Sequence, residues 1–217
     1  MHKTKIILEV AVIAIIIGVL GFQNYRLSKT LRLQIESLQV PKYIASDEPE
    51  RIKKTLLKTY PYLSIWGPDV LYYWSGIIYD QCEQRHIDWR VICAKIHCES
   101  EFNPKAVSEM NAKGIAQTLD STAAVTGRKL GITFIPNATQ MNDVAGMLIG
   151  IQYLDQNIKR EKSIENGLKS YYAGSGWRKN KKQGPINEYA RNVITEARRI
   201  NSTYNRLYPG QENYFLR

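Results

Sequence analysis

From residue 68 to about residue 200 the apolar side chains recur at steps of three and four and never alternate, which restricts this stretch to helices. "NDVAGMLIGIQYLDQNI" puts Val144, Leu148, Ile151, Leu154 and Ile158 on one helical face. Gly146 and Gly150, four apart within it, would let another helix come close. "PDVLYYWSGIIYDQCEQRHI" reads as an earlier helix with Asp69 near its cap. "DWRVICAKIHCESEF" is the next, with Asp88 as its N-cap. "SIENGLKSYYAGSG" is shorter and ends at Gly174 and Gly176, and "NEYARNVITEARRI" groups Tyr189, Val193, Ala197 and Ile200. No internal repeat interrupts the pattern. Five or six such helices predict a mainly α globular domain.

The chain before residue 68 is organised differently. "IILEVAVIAIIIGVLGF", from Ile6 to Phe22, carries Glu9 as its only charge and follows the basic "MHKTK". As a helix it would reach roughly 25 Å, the short end of a membrane span. No A-x-A cleavage site follows, so the run reads as an uncleaved anchor in preference to a signal peptide. Lys3 and Lys5 argue for a cytoplasmic N-terminus, although Arg26, Lys29 and Arg32 weaken the asymmetry. "RLSKTLRLQIESL" is a short amphipathic stem, broken by Pro41 and Pro49, and "RIKKTLLKTYPYL" is a basic helix or tether. The expected division is an anchor at 1–23, a stem and linker at 24–66, a helical domain at 67–203 and a polar, aromatic tail at 204–217.

The 217 residues carry a formal net charge of +10, which suits acidic partners: nucleic acid, anionic lipid or an acidic polymer such as a cell wall. No zinc spacing, Walker loop or RNA-binding aromatic signature is present, so nucleic acid is not expected as a partner. Cys93 and Cys98, five apart on one helix, would point about 140° apart and cannot bridge each other. Cys82 could pair with either in an oxidising compartment, or all three could be free thiols. His97 shares no ligand spacing with them. No metal and no cofactor are expected.

Glu99 is the residue of chemical interest. On a helical wheel Trp89, Ile92 and Ile96 fall within about 60°, and Glu99 lands about 20° from Ile92, at the edge of the apolar face. A carboxyl there is partly desolvated, which raises its pKa toward the range of a general acid. Its position in the last turn of the helix, near the negative end of the dipole, acts in the same direction. The plainer reading is a surface ion pair with Lys95, in the weaker Lys-before-Glu order.

The segment "ESEFNPKAVS…AKGIAQ" resembles the soluble-lytic-transglycosylase family of the lysozyme superfamily. The matching positions are Glu99-Ser100, Phe102-Asn103-Pro104, Ala106, Ser108 and Gly114-Ile115-Ala116-Gln117. "IQYLDQN" is similar to the family's Tyr-Leu helix, "SYYAGSG" to its Ala-Tyr-Asn-Ala-Gly box and "NEYARNVI" to its late Tyr block, all in order over residues 68 to 200. The resemblance implies a lysozyme-like helical domain in which Glu99 is the catalytic acid. It further implies that Ser100 helps orient substrate, that Gln117 and Tyr171 line the glycan cleft and that the Tyr189 hydroxyl approaches the acid. Read without it, Tyr171 and Tyr189 are equally good core aromatics, and Ser100 and Gln117 solvent-facing polar groups. Three positions depart from the pattern: Asn111 stands where Gly is common, Ala116 where Met is usual and Tyr172 where Asn is usual.

The implied activity is cleavage of the β-1,4 bond between N-acetylmuramic acid and N-acetylglucosamine in peptidoglycan, giving 1,6-anhydromuramic products. A membrane-anchored enzyme of this kind would face the periplasm and cell wall, or belong to a virion membrane. Its wider partner would be an envelope-spanning secretion system or a bacteriophage assembly. A hydrolytic lysozyme is the alternative, needing a second acid such as Asp120 or Glu109. A non-catalytic peptidoglycan-binding assembly component is another.

Overall fold

The computed structural model describes residues 46–210. The expected anchor, the first part of the stem and the last seven residues of the tail therefore lie outside the described residues. In chain order the helices are α1 (Glu48–Thr59), α2 (Pro68–Arg85), α3 (Trp89–Ser100), α4 (Asp120–Lys129), α5 (Ala138–Met141), α6 (Asp143–Glu161), α7 (Ile164–Ala173) and α8 (Gln183–Leu207). Short 3-10 turns at Pro61–Trp66 and Trp177–Lys179 join α1 to α2 and α7 to α8. Among the described residues the only β pairing is two isolated bridges, Val107 with Lys113 and Lys113 with Thr118. None of the described helices is long and apolar enough to cross a membrane.

Local chemistry sets the helix starts. The Asp88 side chain accepts from the Arg90 N–H at 2.8 Å, and that of Asn142 from the Ala145 N–H at 2.9 Å. Asp69 does not cap α2: Gly67 does, followed by Pro68, and Asp69 lies in the first turn. The α6 face expected from the sequence is buried through Val144, Leu148, Ile151 and Leu154, while Ile158 is partly buried against that core. It packs on α7, α7 packs on α8, and α8 packs on α3, so the helix carrying Glu99 is held on a contiguous apolar core.

Two expectations are corrected. The linker over 24–66 is too long, because α1 belongs to the body: Ile52 and Leu56 are fully buried against α2 and α8. The Tyr60 hydroxyl then donates to Glu196 of α8 at 2.5 Å. The apolar face of α1 recurs at helical steps, but exposed Lys54 and Lys58 between its members gave the segment the look of a tether. At the other end α8 continues through Tyr204, which is buried, so residues 204–207 are helix and not tail.

What Gly146 and Gly150 admit differs between the two. A Cβ on Gly150 would lie 2.4 Å from the Ala116 Cβ, and one on Gly146 would lie 2.8 Å from the Gln140 carbonyl oxygen. At Gly146 the element that comes close is the short helix α5, as the spacing suggested, whereas at Gly150 it is the loop before α4 and not a helix. The cysteines are all free: Cys82 and Cys93 are buried and Cys98 is exposed.

Truncating Leu56 to Ala should destabilise the protein by about 2–5 kcal/mol, the cost of a buried cavity. Urea unfolding monitored by circular dichroism measures this. A midpoint equal to the wild type's would return α1 to the linker.

Candidate active site

Helix α3 ends at Ser100, three residues before the Asn103-Pro104 stop that the sequence suggests. Glu101 (φ 52) and Phe102 (φ 61) both turn into the left-handed region. Such residues cost on the order of 1–3 kcal/mol each and persist where packing over-determines them. Here the packing is the Phe102 ring, fully buried and stacked on Trp74 with centroids 6.4 Å apart. The turn leaves Glu99 on the last helical residue but one, half-buried, facing a groove.

That groove is a cavity of about 660 Å³ whose walls include Glu99, Gln117, Tyr153, Tyr171 and Tyr172. A second groove of about 560 Å³, between the end of α3 and α8, meets it at Glu99 and is lined by Ser100, Glu101, Asn192 and Glu196 among others. Glu99 is the residue common to both and, among the described residues, the only carboxylate lining the larger one.

The Tyr189 hydroxyl, from α8, donates to Glu99 Oε1 at 2.6 Å. Burial pushes the Glu99 pKa up; the positive charge of Lys95 and the Tyr189 hydrogen bond pull it only part of the way back. The carboxyl is therefore held above the usual carboxylate range, as a group that both gives and takes a proton requires. The plainer alternative, a surface ion pair of Lys95 with Glu99, is set aside by the same geometry. Lys95 is only 2 % exposed, and its Nζ donates to the Ala116 carbonyl at 2.9 Å and to the Tyr171 hydroxyl at 2.6 Å.

The remaining candidates divide. Tyr171 is buried beneath the larger groove, and its hydroxyl donates to the Ala116 carbonyl at 2.7 Å. Gln117 lines that groove, while its amide nitrogen donates to the Ala106 and Gly114 carbonyls at 3.1 and 2.9 Å and so braces the loop. Ser100 is not in that wall: it lines the second groove and donates to the Ile115 carbonyl at 2.8 Å. Gly114 (φ 75) lies so close to the Gln140 carbonyl oxygen that an added Cβ would be 1.8 Å from it, which fixes glycine at this position.

Lys95 is the member of this site that the sequence offers only as a possible surface partner of Glu99. Its i, i+4 relation to Glu99 was visible, but its burial depends on Gly150, Ala116 and Tyr171 converging from distant parts of the chain. Asp120, considered as a second acid, bonds to Lys113 at 2.7 Å and Gln140 at 2.8 Å and does not line either groove. Glu109 is exposed and lines neither. Among the described residues no group of three or more His, Cys, Asp or Glu could hold a metal ion.

The transglycosylase SLT domain model matches residues 77–194, more than half of the chain. The chain belongs to that family. Among solved structures it is similar to an inactive mutant of the lytic transglycosylase Slt from Pseudomonas aeruginosa. That match has a TM-score of 0.52 at 22% identity and covers 63% of this chain and 24% of that one. The 70 kDa soluble lytic transglycosylase from Escherichia coli is similar with a TM-score of 0.51 at 16% identity, over 85% of this chain and 35% of that one. At these identities the likeness is one of fold. The chain spans between a quarter and about a third of the length of the structures it matches. No curated protein matches it.

Because the Tyr189 bond favours the charged form of Glu99, its removal should raise the Glu99 pKa further. Tyr189→Phe is expected to fold normally and to titrate at Glu99 above the wild type, followed by NMR of the labelled carboxyl carbon. One such hydrogen bond is worth about 1 kcal/mol. A Glu99 titration that does not move would leave Tyr189 as packing.

Proposed function

We propose that this SLT-family chain is a peptidoglycan lytic transglycosylase with Glu99 as its sole acid and base. The observation that carries the reading is a desolvated carboxyl bonded to Tyr189 at 2.6 Å, where two grooves meet. Protonated Glu99 gives its proton to the glycosidic oxygen as the bond between N-acetylmuramic acid and N-acetylglucosamine breaks. The substrate's N-acetyl group stabilises the cationic carbon. The Glu99 carboxylate then takes the proton of the muramic 6-hydroxyl, whose oxygen closes on that carbon. The product is a 1,6-anhydro sugar, and no water enters.

Hydrolysis by a pair of carboxylates would need a second acid across the cleft. The commitment of Asp120 to Lys113 and the exposure of Glu109 away from both grooves support the single-acid reading. In this proposal Tyr171, Gln117 and Ser100 contact the glycan or hold the loop that does. Residues 6–22, outside the described residues, anchor the chain with its helical domain toward the cell wall. A secretion system or a virion is the setting such a local wall-opener suits.

Glu99→Gln keeps the side chain's size and removes the transferable proton. It should stay folded, bind glycan strands and lose on the order of 10²- to 10⁴-fold in cleavage rate. Mass spectrometry of the soluble fragments released from purified peptidoglycan is the decisive measurement. Wild-type products should end in 1,6-anhydromuramic acid, lighter by one water than a lysozyme's. Reducing ends would turn the assignment to hydrolysis, and undiminished cleavage by Glu99→Gln would remove the acid.

A further inference from the structure

Lys95 is an unusual residue to find beneath a carboxyl that must change its charge. It is buried, yet its hydrogen-bond partners are neutral: the Ala116 carbonyl at 2.9 Å and the Tyr171 hydroxyl at 2.6 Å, with the Tyr171 ring centroid 4.2 Å from Nζ. It forms no salt bridge among the described residues. A buried ammonium whose contacts are only dipoles is poorly compensated, and its proton is held less firmly than in water. The nearest source of full negative charge on its own helix is Glu99, one turn on.

We propose that Lys95 is a positioning residue for Glu99, a fixed counter-charge for the carboxylate that exists after the acid has given up its proton. The inference rests on Glu99 being the acid and base of the proposed reaction. Two geometric facts fix the ammonium in place. Gly150 leaves it room, since a Cβ there would come within 3.2 Å of Nζ and 2.4 Å of the Ala116 Cβ. Tyr171 cannot turn away, because its hydroxyl is tied to the same Ala116 carbonyl at 2.7 Å.

Other groups with charge or titratable protons face this pair from each packed element. Cys98 precedes Glu99 on α3, Tyr171 comes from α7 and Tyr189 from α8, while the Tyr153 ring of α6 packs tilted against that of Tyr171 with centroids 5.0 Å apart. Glu101 and Glu196 line the adjoining groove. Tyr171 and Tyr189 are neutral, their pKa values pushed well up by burial, and burial likewise pushes the Cys98 thiol up to about 11. Lys182 also lines the larger groove, but the cation whose charge bears on Glu99 is Lys95. Burial lowers the Lys95 pKa, and the charge of Glu99 opposes that fall.

The coupling is reciprocal, so it is read from both sides. In the full chain, NMR titration of the Lys95 ammonium compares wild type with Glu99→Gln. The variant lacks the opposing negative charge, and Lys95 should lose its proton at a lower pH than in the wild type. A titration at the same pH in both would overturn the proposal, whatever happens to activity.

From the other side, Lys95→Met keeps the length of the side chain without the charge. A cation favours the carboxylate, so its loss raises the Glu99 pKa and moves the alkaline fall of the rate to higher pH. At neutral pH the turnover should drop about tenfold with KM unchanged, because the carboxylate formed in the first step has lost its counter-charge. A folded Lys95→Met with the wild-type pH profile would reduce Lys95 to packing. If Lys95→Met does not fold, the titration in Glu99→Gln decides alone. An unmoved titration with cleavage abolished in Glu99→Gln sinks this inference and spares the proposed function. Wild-type cleavage by Glu99→Gln sinks both.

Discussion

A lysine can carry its ammonium into a helical core only where lone pairs converge on it, and this requirement organises the surroundings of Glu99. The Ala116 carbonyl oxygen has two lone pairs; one accepts from Lys95 and the other from the Tyr171 hydroxyl, which itself accepts from Lys95. The triangle joins α3, the loop before α4 and the end of α7. Residues 95, 116 and 171 thereby become one unit, and Glu99, one turn beyond Lys95, takes its position from that unit. The larger groove follows from it: Tyr171 forms its floor and Gln117, next to Ala116, its wall.

The loop between α3 and α4 is strained wherever it must turn around this triangle. Glu101, Phe102, Asn111 and Gln117 all have positive φ without being glycine. Partly buried hydrogen bonds and packing hold them there: Ser100 to the Ile115 carbonyl, Gln117 to the Ala106 carbonyl, and the Phe102 ring under Trp74. Lys113 is nearly buried and paired with Asp120, which explains why a carboxylate that looked available in the sequence is committed to the scaffold. Strain collected next to a carboxyl with a raised pKa fits a loop that presents a site.

What could be read from the sequence depended on whether it was local. Helices α2, α3, α6 and α7, the Asp88 cap and the placement of Glu99 at the edge of an apolar face follow from short-range periodicity, and the structure has each of them. Helix α4 was not foreseen, because the apolar anchoring of "DSTAAVTGRK" is only Ala123 with Thr126 and Gly127. Its place is set by α6 and not by its own pattern. Helix α1 could be read as a basic helix or a tether, and its assignment to the linker fails because Ile52 and Leu56 are buried among its basic residues. Lys95 is ambiguous for a deeper reason: a lysine four residues before a glutamate looks the same whether it meets water or a carbonyl oxygen brought from residue 116.

The three departures from the family pattern can now be weighed by what each side chain touches. Asn111 replaces a common Gly at φ 60, a conformation that Asn tolerates better than most residues, so the turn survives. Ala116 replaces Met where the Gly150 backbone closes in, and 2.4 Å from its Cβ to a virtual Cβ on Gly150 leaves no corridor for a longer chain along that line. The space beneath is taken by Lys95, so the core stays filled while gaining a charge. Tyr172 is different, because its ring is 51 % exposed in the larger groove and lies on Tyr189 with centroids 4.7 Å apart. Asparagine there could offer only an amide. Tyrosine offers an apolar face to the cleft and, by stacking, restricts rotation of the Tyr189 ring whose hydroxyl bonds Glu99. Two departures thus maintain the scaffold, and the third changes the surface that a glycan would meet while steadying the acid behind it.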